Sequence, residues 1–135
     1  MGAIDFAGGT AIHINAGAAS LALTLVLGKR KGWPSESSPP HNLPLVMLGT
    51  GILWFGWFGF NAGSAGAANG QAVQALLNTF VAAAAGMIGW ILIEKIKGGK
   101  PTTLGACSGV VAALVAITPA AGYVGGLASI VFGLV

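Results

Sequence analysis

The chain has 135 residues, of which 55% are apolar and only 7% are charged, whereas a water-soluble domain averages about 25% charged. Its net charge of +3 comes from a few cations confined to two short stretches, which gives no basic surface for nucleic acid. The one cysteine, Cys107, excludes an intrachain disulfide and a cysteine-rich metal cluster, so the composition points to an all-α, polytopic transmembrane helix bundle.

Met1 is followed at once by the Asp5 segment, without a basic leader or a cleavage site, so no signal peptide is expected. A helix needs about 20 mostly apolar residues to cross the hydrocarbon. Four runs meet or approach that length: 6–27, 43–64, 71–93 and the shorter 103–121. A fifth opens at 123 and stops at 135, about 13 residues and too short to span, so the last helix reads as incomplete and the chain as truncated.

The connections fix an expected orientation. Lys29, Arg30 and Lys31 follow the first run, and Lys95, Lys97 and Lys100 follow the third. Two odd-numbered connections lie on one side of the membrane, and their cations make that side cytoplasmic. Asp5 and the turn over 61–70 then face outward. The first connection also carries Pro34, Pro39 and Pro40, the mark of a solvated loop, while Pro44 suits the first turn of the next helix. His41 sits in that loop and is expected to have no role. The 23 glycines, with much alanine, predict helices whose backbones touch, through pairs such as Ala82 with Gly86 and Gly105 with Gly109. Cys107 reads as a small buried filler.

Few side chains here could carry chemistry. His13 lies inside the first run, where hydrophobicity alone favours Leu, and an ionisable residue in that position is a functional candidate by default. Its neighbours one turn away are Gly9 and Gly17, so a second helix or a small solute can approach the imidazole. Desolvation disfavours its cation, and the neutral ring offers one donor and one acceptor. A hydrogen bond that merely ties two helices together is the plain alternative. Asp5 stands about 12 Å above His13 along the axis and about 80° around it, too far for a catalytic dyad. At an outward helix start it reads as an N-cap, with a share in attracting a cation as the alternative.

On the second run, Trp57, Phe60, Asn61 and Ser64 follow the i, i+3, i+4, i+7 pattern and share one face. Counting from residue 43, Trp57 lies about 20 Å into the membrane and Ser64 near its outer surface. Aromatic faces attract cations by roughly 0.5 to 2 kcal/mol, so a hydroxyl above two rings is a candidate weak cation site. An interfacial aromatic belt is the alternative. No phosphate-binding loop, HExxH or GxSxG occurs, and Ser64 with His13 lacks a third orienting group. No enzyme activity and no cofactor are expected.

Four segments carry a family likeness: DFAGGTAIHINAG at 5–17, PHNLP at 40–44, GWFGFNAGSAGAAN at 56–69 and GKPTTLGACSG at 99–109. In order and spacing they resemble successive signatures of the ammonium transporter (Amt/Mep/Rh) family, and the resemblance covers nearly the whole chain. It implies an eleven-helix protomer in a homotrimer, with an apolar pore in each protomer, of which this chain would be the fifth to eighth helices and part of the ninth. Under that resemblance His13 matches the first histidine of the pore pair. Phe60 matches one of two gate phenylalanines, Ser64 the serine of the outer recruitment site, Trp57 a conduit tryptophan, and Asp5 the aspartate supporting that site. The second histidine, the outer tryptophan and the other gate phenylalanine would lie on helices outside this chain. The implied partners are ammonium or ammonia, the lipid bilayer, further copies of the chain and a cytoplasmic nitrogen-signalling regulator. The rivals are an ammonium sensor of the same family and a helical membrane scaffold that does not transport.

Overall fold

Asn42, Asn69 and Thr102 each stand just ahead of an apolar run, and each becomes an N-cap. The side-chain oxygens accept the backbone N–H of Leu45 (3.0 Å), Ala72 (3.0 Å) and Gly105 (2.9 Å), satisfying donors that a helix start leaves orphaned. The computed structural model describes residues 2–135 and contains five helices: α1 (Gly9–Leu27), α2 (Leu43–Gly63), α3 (Gly70–Gly98), α4 (Thr103–Ile117) and α5 (Gly126–Leu134). Among the described residues there is no strand. The all-α architecture expected from the sequence is therefore present.

The helix ends differ from expectation for identifiable reasons. α3 continues to Gly98 rather than 93, because Lys95 and Lys97 are at home in a last turn, where the carbonyl end of the helix dipole favours cations. It stops where Gly99 adopts φ 77° and donates its N–H back to Lys95 O, a left-handed cap that suits glycine. Two of the three cations assigned to the second basic connection thus belong to the helix. α4 ends at Ile117 and not 121, since Pro119 has no N–H to continue the ladder. α1 begins at Gly9, three residues later than expected, and the last helix, expected over 123–135, spans Gly126–Leu134. Cys107 is half-buried, so it is not the fully buried filler expected.

α3 is the axis of the bundle and packs against α2, α4 and α5. Glycine makes these contacts close. A Cβ on Gly86 would meet the Ala113 side chain and the Gly109 carbonyl, and a Cβ on Gly109 would meet Gly86 O in return. One turn away on α3, Gly133 of α5 rests on the Ala82 carbonyl. Without water to drive association, such backbone proximity is what holds membrane helices together. Buried amides add direction. Asn61 Nδ2 donates to Thr79 Oγ1 at 2.9 Å, tying α2 to α3, while Asn78 Nδ2 donates to the carbonyls of Ala121 (2.9 Å) and Val124 (2.6 Å) in the turn after α4.

α1 is different. Its backbone approaches only that of α4, and Leu25, Val26 and Leu27 at its far end are 74%, 83% and 79% exposed. It hangs from the bundle by its first half.

Candidate functional site

The first turn of α1 is built by its approach to the segment after α4. Phe6 N–H donates to Pro119 O at 2.8 Å, and the Phe6 ring lies over Gly122 and meets Tyr123 edge-on, with centroids 5.5 Å apart. Gly8 takes φ 75° and is the N-cap, a left-handed conformation that costs glycine little. Asp5 is therefore not the N-cap residue itself. Its carboxylate still does capping work from one turn outside, accepting Thr10 N–H at 3.0 Å and Ala11 N–H at 3.2 Å. The Thr10 amide foremost, with Ala11, holds the Asp5 carboxyl below the ordinary carboxylate value.

Gly9 comes next and sits directly on Thr118 and Pro119. A Cβ placed there would lie 2.5 Å from Thr118 Cγ2 and 2.8 Å from Pro119 Cδ, closer than any side chain tolerates. One turn further along the same face, His13 reaches α2. Its ring stacks on Trp57 at 5.4 Å between centroids with 24° between planes. It meets Phe60 edge-on at 6.4 Å and 78°, and Trp57 and Phe60 lie 5.8 Å apart. No Cα of α1 lies within 8 Å of one in α2, so these rings bridge a gap that the backbones leave open. His13 Nε2 is buried and has no hydrogen-bond partner among the described residues.

Trp57 is held from behind. Its Nε1–H donates to Thr118 Oγ1 at 2.8 Å, and that hydroxyl donates in turn to Leu114 O at 2.6 Å. The indole also forms part of the core with Ala83, Val110 and Leu114, against which Phe60 packs. The face expected to carry four residues in fact divides. Trp57 and Asn61 turn into the bundle, Phe60 is half-buried, and Ser64, just past the end of α2, is exposed. Ser64 donates its hydroxyl proton to Phe60 O at 2.7 Å. What it offers outward is therefore oxygen lone pairs, at the carbonyl end of a helix where the dipole favours a cation.

The structure thus brings His13, Trp57 and Phe60 into contact and sets Ser64 one turn beyond Phe60. Asp5 serves the α1 backbone. A hollow of about 750 Å³ between α3, α4 and α5, walled by Trp90, Glu94 and Phe132, contains none of these five residues. Among the described residues no group of three His, Cys, Asp or Glu side chains could hold a metal. Sequence reasoning missed Thr118. A threonine before a proline at the end of an apolar run signals a helix stop, and its partner Trp57 lies 61 residues away.

Three of the helices are long and apolar enough to cross a membrane, and the imidazole-aromatic cluster lies between two of them. These features define a multi-pass membrane protein with a polar group lodged inside an apolar bundle. The sequence matches the model of the Ammonium Transporter Family over residues 1–135, and the chain belongs to that family. It is 60% identical over 132 residues to the ammonium transporter of Mycobacterium tuberculosis, covering 98% of this chain and 28% of that protein. With the ammonium transporter of Bacillus subtilis it shares 56% identity over 135 residues, all of this chain and 33% of that one. The crystal structure of Candida albicans Mep2 superposes with a TM-score of 0.91 at 45% identity, over 99% of this chain and 30% of its own. The chain spans about a third of the length of these relatives.

Proposed function

We propose that this chain forms one wall of the conduction path of an ammonium transporter. The observation that carries the proposal is the contact of His13, Trp57 and Phe60 across the gap between α1 and α2, with the imidazole Nε2 buried and without a hydrogen-bond partner among the described residues. The basic connections face the cytoplasm of a cell-membrane protein, and Asp5 and Ser64 lie at the outer end.

Ammonium is recruited at that end. The Ser64 oxygen accepts an N–H, the ring of Phe60 supplies a cation-binding face, and the α2 carbonyl terminus adds its dipole. Asp5 offsets the positive start of α1, which would otherwise repel a cation. The ion then gives up a proton, because a charge at mid-membrane costs at least about 2.5 kcal/mol while a neutral amine costs far less. Ammonia passes the aromatic gate and hydrogen-bonds the neutral imidazole of His13, and the proton travels separately, with His13 as one station. Potassium has no proton to lose, so the dry segment excludes it. The complete path requires helices beyond this third of the relatives' length, the assembly is a homotrimer, and the basic cytoplasmic side is where a nitrogen-signalling regulator would meet it.

The test uses the Bacillus subtilis relative with this chain exchanged for its matching segment, reconstituted in vesicles. An ammonium gradient should drive a saturable current and a potassium gradient none. Ser64→Ala should raise the half-saturating ammonium concentration and leave the maximal current largely intact. Equal currents for the two ions would sink the deprotonation mechanism, and an unmoved half-saturation in Ser64→Ala would return Ser64 to a helix-end role.

A further inference from the structure

Three contacts described above converge on one fully buried side chain. The Thr118 hydroxyl accepts the Trp57 indole N–H at 2.8 Å and fixes its own rotamer by donating to Leu114 O at 2.6 Å. The Thr118 methyl is the surface on which Gly9 of α1 rests. Thr118 is itself fully buried. Gly9 and His13 are one turn apart on α1, so the height and rotation at which Gly9 seats determine where the imidazole arrives. Trp57 is the ring it arrives on. The two halves of the stack thus take their positions from opposite ends of one small residue, and α1 has no contact with α2 through its backbone that could set them otherwise.

We infer that Thr118 is the positioning residue of the His13–Trp57 stack: its hydroxyl orients the indole, and its methyl sets the register of α1. The importance of this for transport rests on the reading of His13 and Trp57 as conduit residues; the positioning itself does not.

The two roles separate by substitution. Thr118→Val keeps the methyl surface and leaves the indole N–H without an acceptor, a cost borne by a buried donor. Thr118→Ser keeps the hydroxyl and removes the methyl. Gly9→Ala pushes α1 off its seat and leaves Thr118 and Trp57 bonded. The readouts are the Trp57 indole N–H resonance and the ring-current shift of the His13 ring protons, recorded by NMR on the selectively labelled full-length transporter carrying this chain, in detergent micelles. Thr118→Val should move the indole resonance and speed its hydrogen exchange, and Thr118→Ser should restore both. Gly9→Ala should collapse the His13 ring-current shift while the indole resonance stays in place. A general loosening of the core would instead move both signals in every variant. An indole resonance unmoved in Thr118→Val, or not restored in Thr118→Ser, overturns the inference, as does an unchanged His13 shift in Gly9→Ala.

Ammonium current in the exchanged transporter separates the two readings. Loss in Thr118→Val, with only partial recovery in Thr118→Ser because the methyl seat of α1 is gone, supports both. A displaced indole with undiminished current supports the positioning and counts against the place given to Trp57 in transport.

Discussion

α3 and α1 are both apolar helices of membrane length, yet they are held in opposite ways. α3 is clasped by α4 and α5 at points where glycine lets backbones touch, and its buried amides are tied to α2 and to the turn after α4. α1 is pinned near its start, by Phe6 and Gly9 against the segment after α4 and by the His13 ring against α2, and its far end is exposed. The difference shows a division of labour. The clasped region carries the stability of the bundle, and the pinned helix carries His13, delivered to an aromatic wall that belongs to the clasped region.

The comparison breaks most sharply at its tightest point. Gly109→Leu inserts a side chain where the Gly86 carbonyl already sits, and overpacking of this kind costs about 3 kcal/mol. Thermal unfolding in detergent should show a large loss of stability, and a midpoint within a degree or two of the parent would mean that α3 and α4 do not meet as described. At the pinned end the expected effect is smaller and local. The folded Asp5 carboxyl lies below its ordinary value of about 3.9 because the Thr10 amide bonds it. Its contribution is therefore complete above that value and is lost as pH falls through the lower folded one. Amide exchange at Thr10 and Ala11 should quicken as pH is lowered past that point, relative to amides in α3 and after correction for intrinsic rates. Equal protection throughout would remove the capping role. Smallest of all, Leu25→Ala at the free end of α1 should change the stability of this chain by no more than about 0.5 kcal/mol, as read from the same unfolding curves. A loss of 2 kcal/mol would show that the far end of α1 is packed after all.

How far the sequence discloses this arrangement depends on the range of each cause. The all-α bundle, the spans and the small-residue contacts are visible because hydropathy and glycine content act within one segment. His13, Trp57 and Phe60 are visible as candidates because an imidazole in an apolar run and aromatics at helical spacing stand out locally. The exact ends are less legible. Lys95 and Lys97 read as loop cations because charge ends a hydropathy run, although the helix dipole accommodates them for another turn. Asp5 reads as the N-cap because its chemistry is right, but the turn through Gly8, with its left-handed φ, moves the helix start to Gly9. Thr118 is illegible, since its role exists only when residues distant in the chain come together.

The central claim is that His13 serves the passage of ammonium and does not merely fasten two helices. It is tested most directly by the ammonium-driven current of the His13→Ala variant in the full-length relative carrying this chain, with trimer formation checked on the same preparation. The account predicts an assembled protein whose ammonium current is lost, or whose discrimination against potassium is altered. An assembled protein with the parent's current and the parent's selectivity would contradict it and return His13 to a packing role.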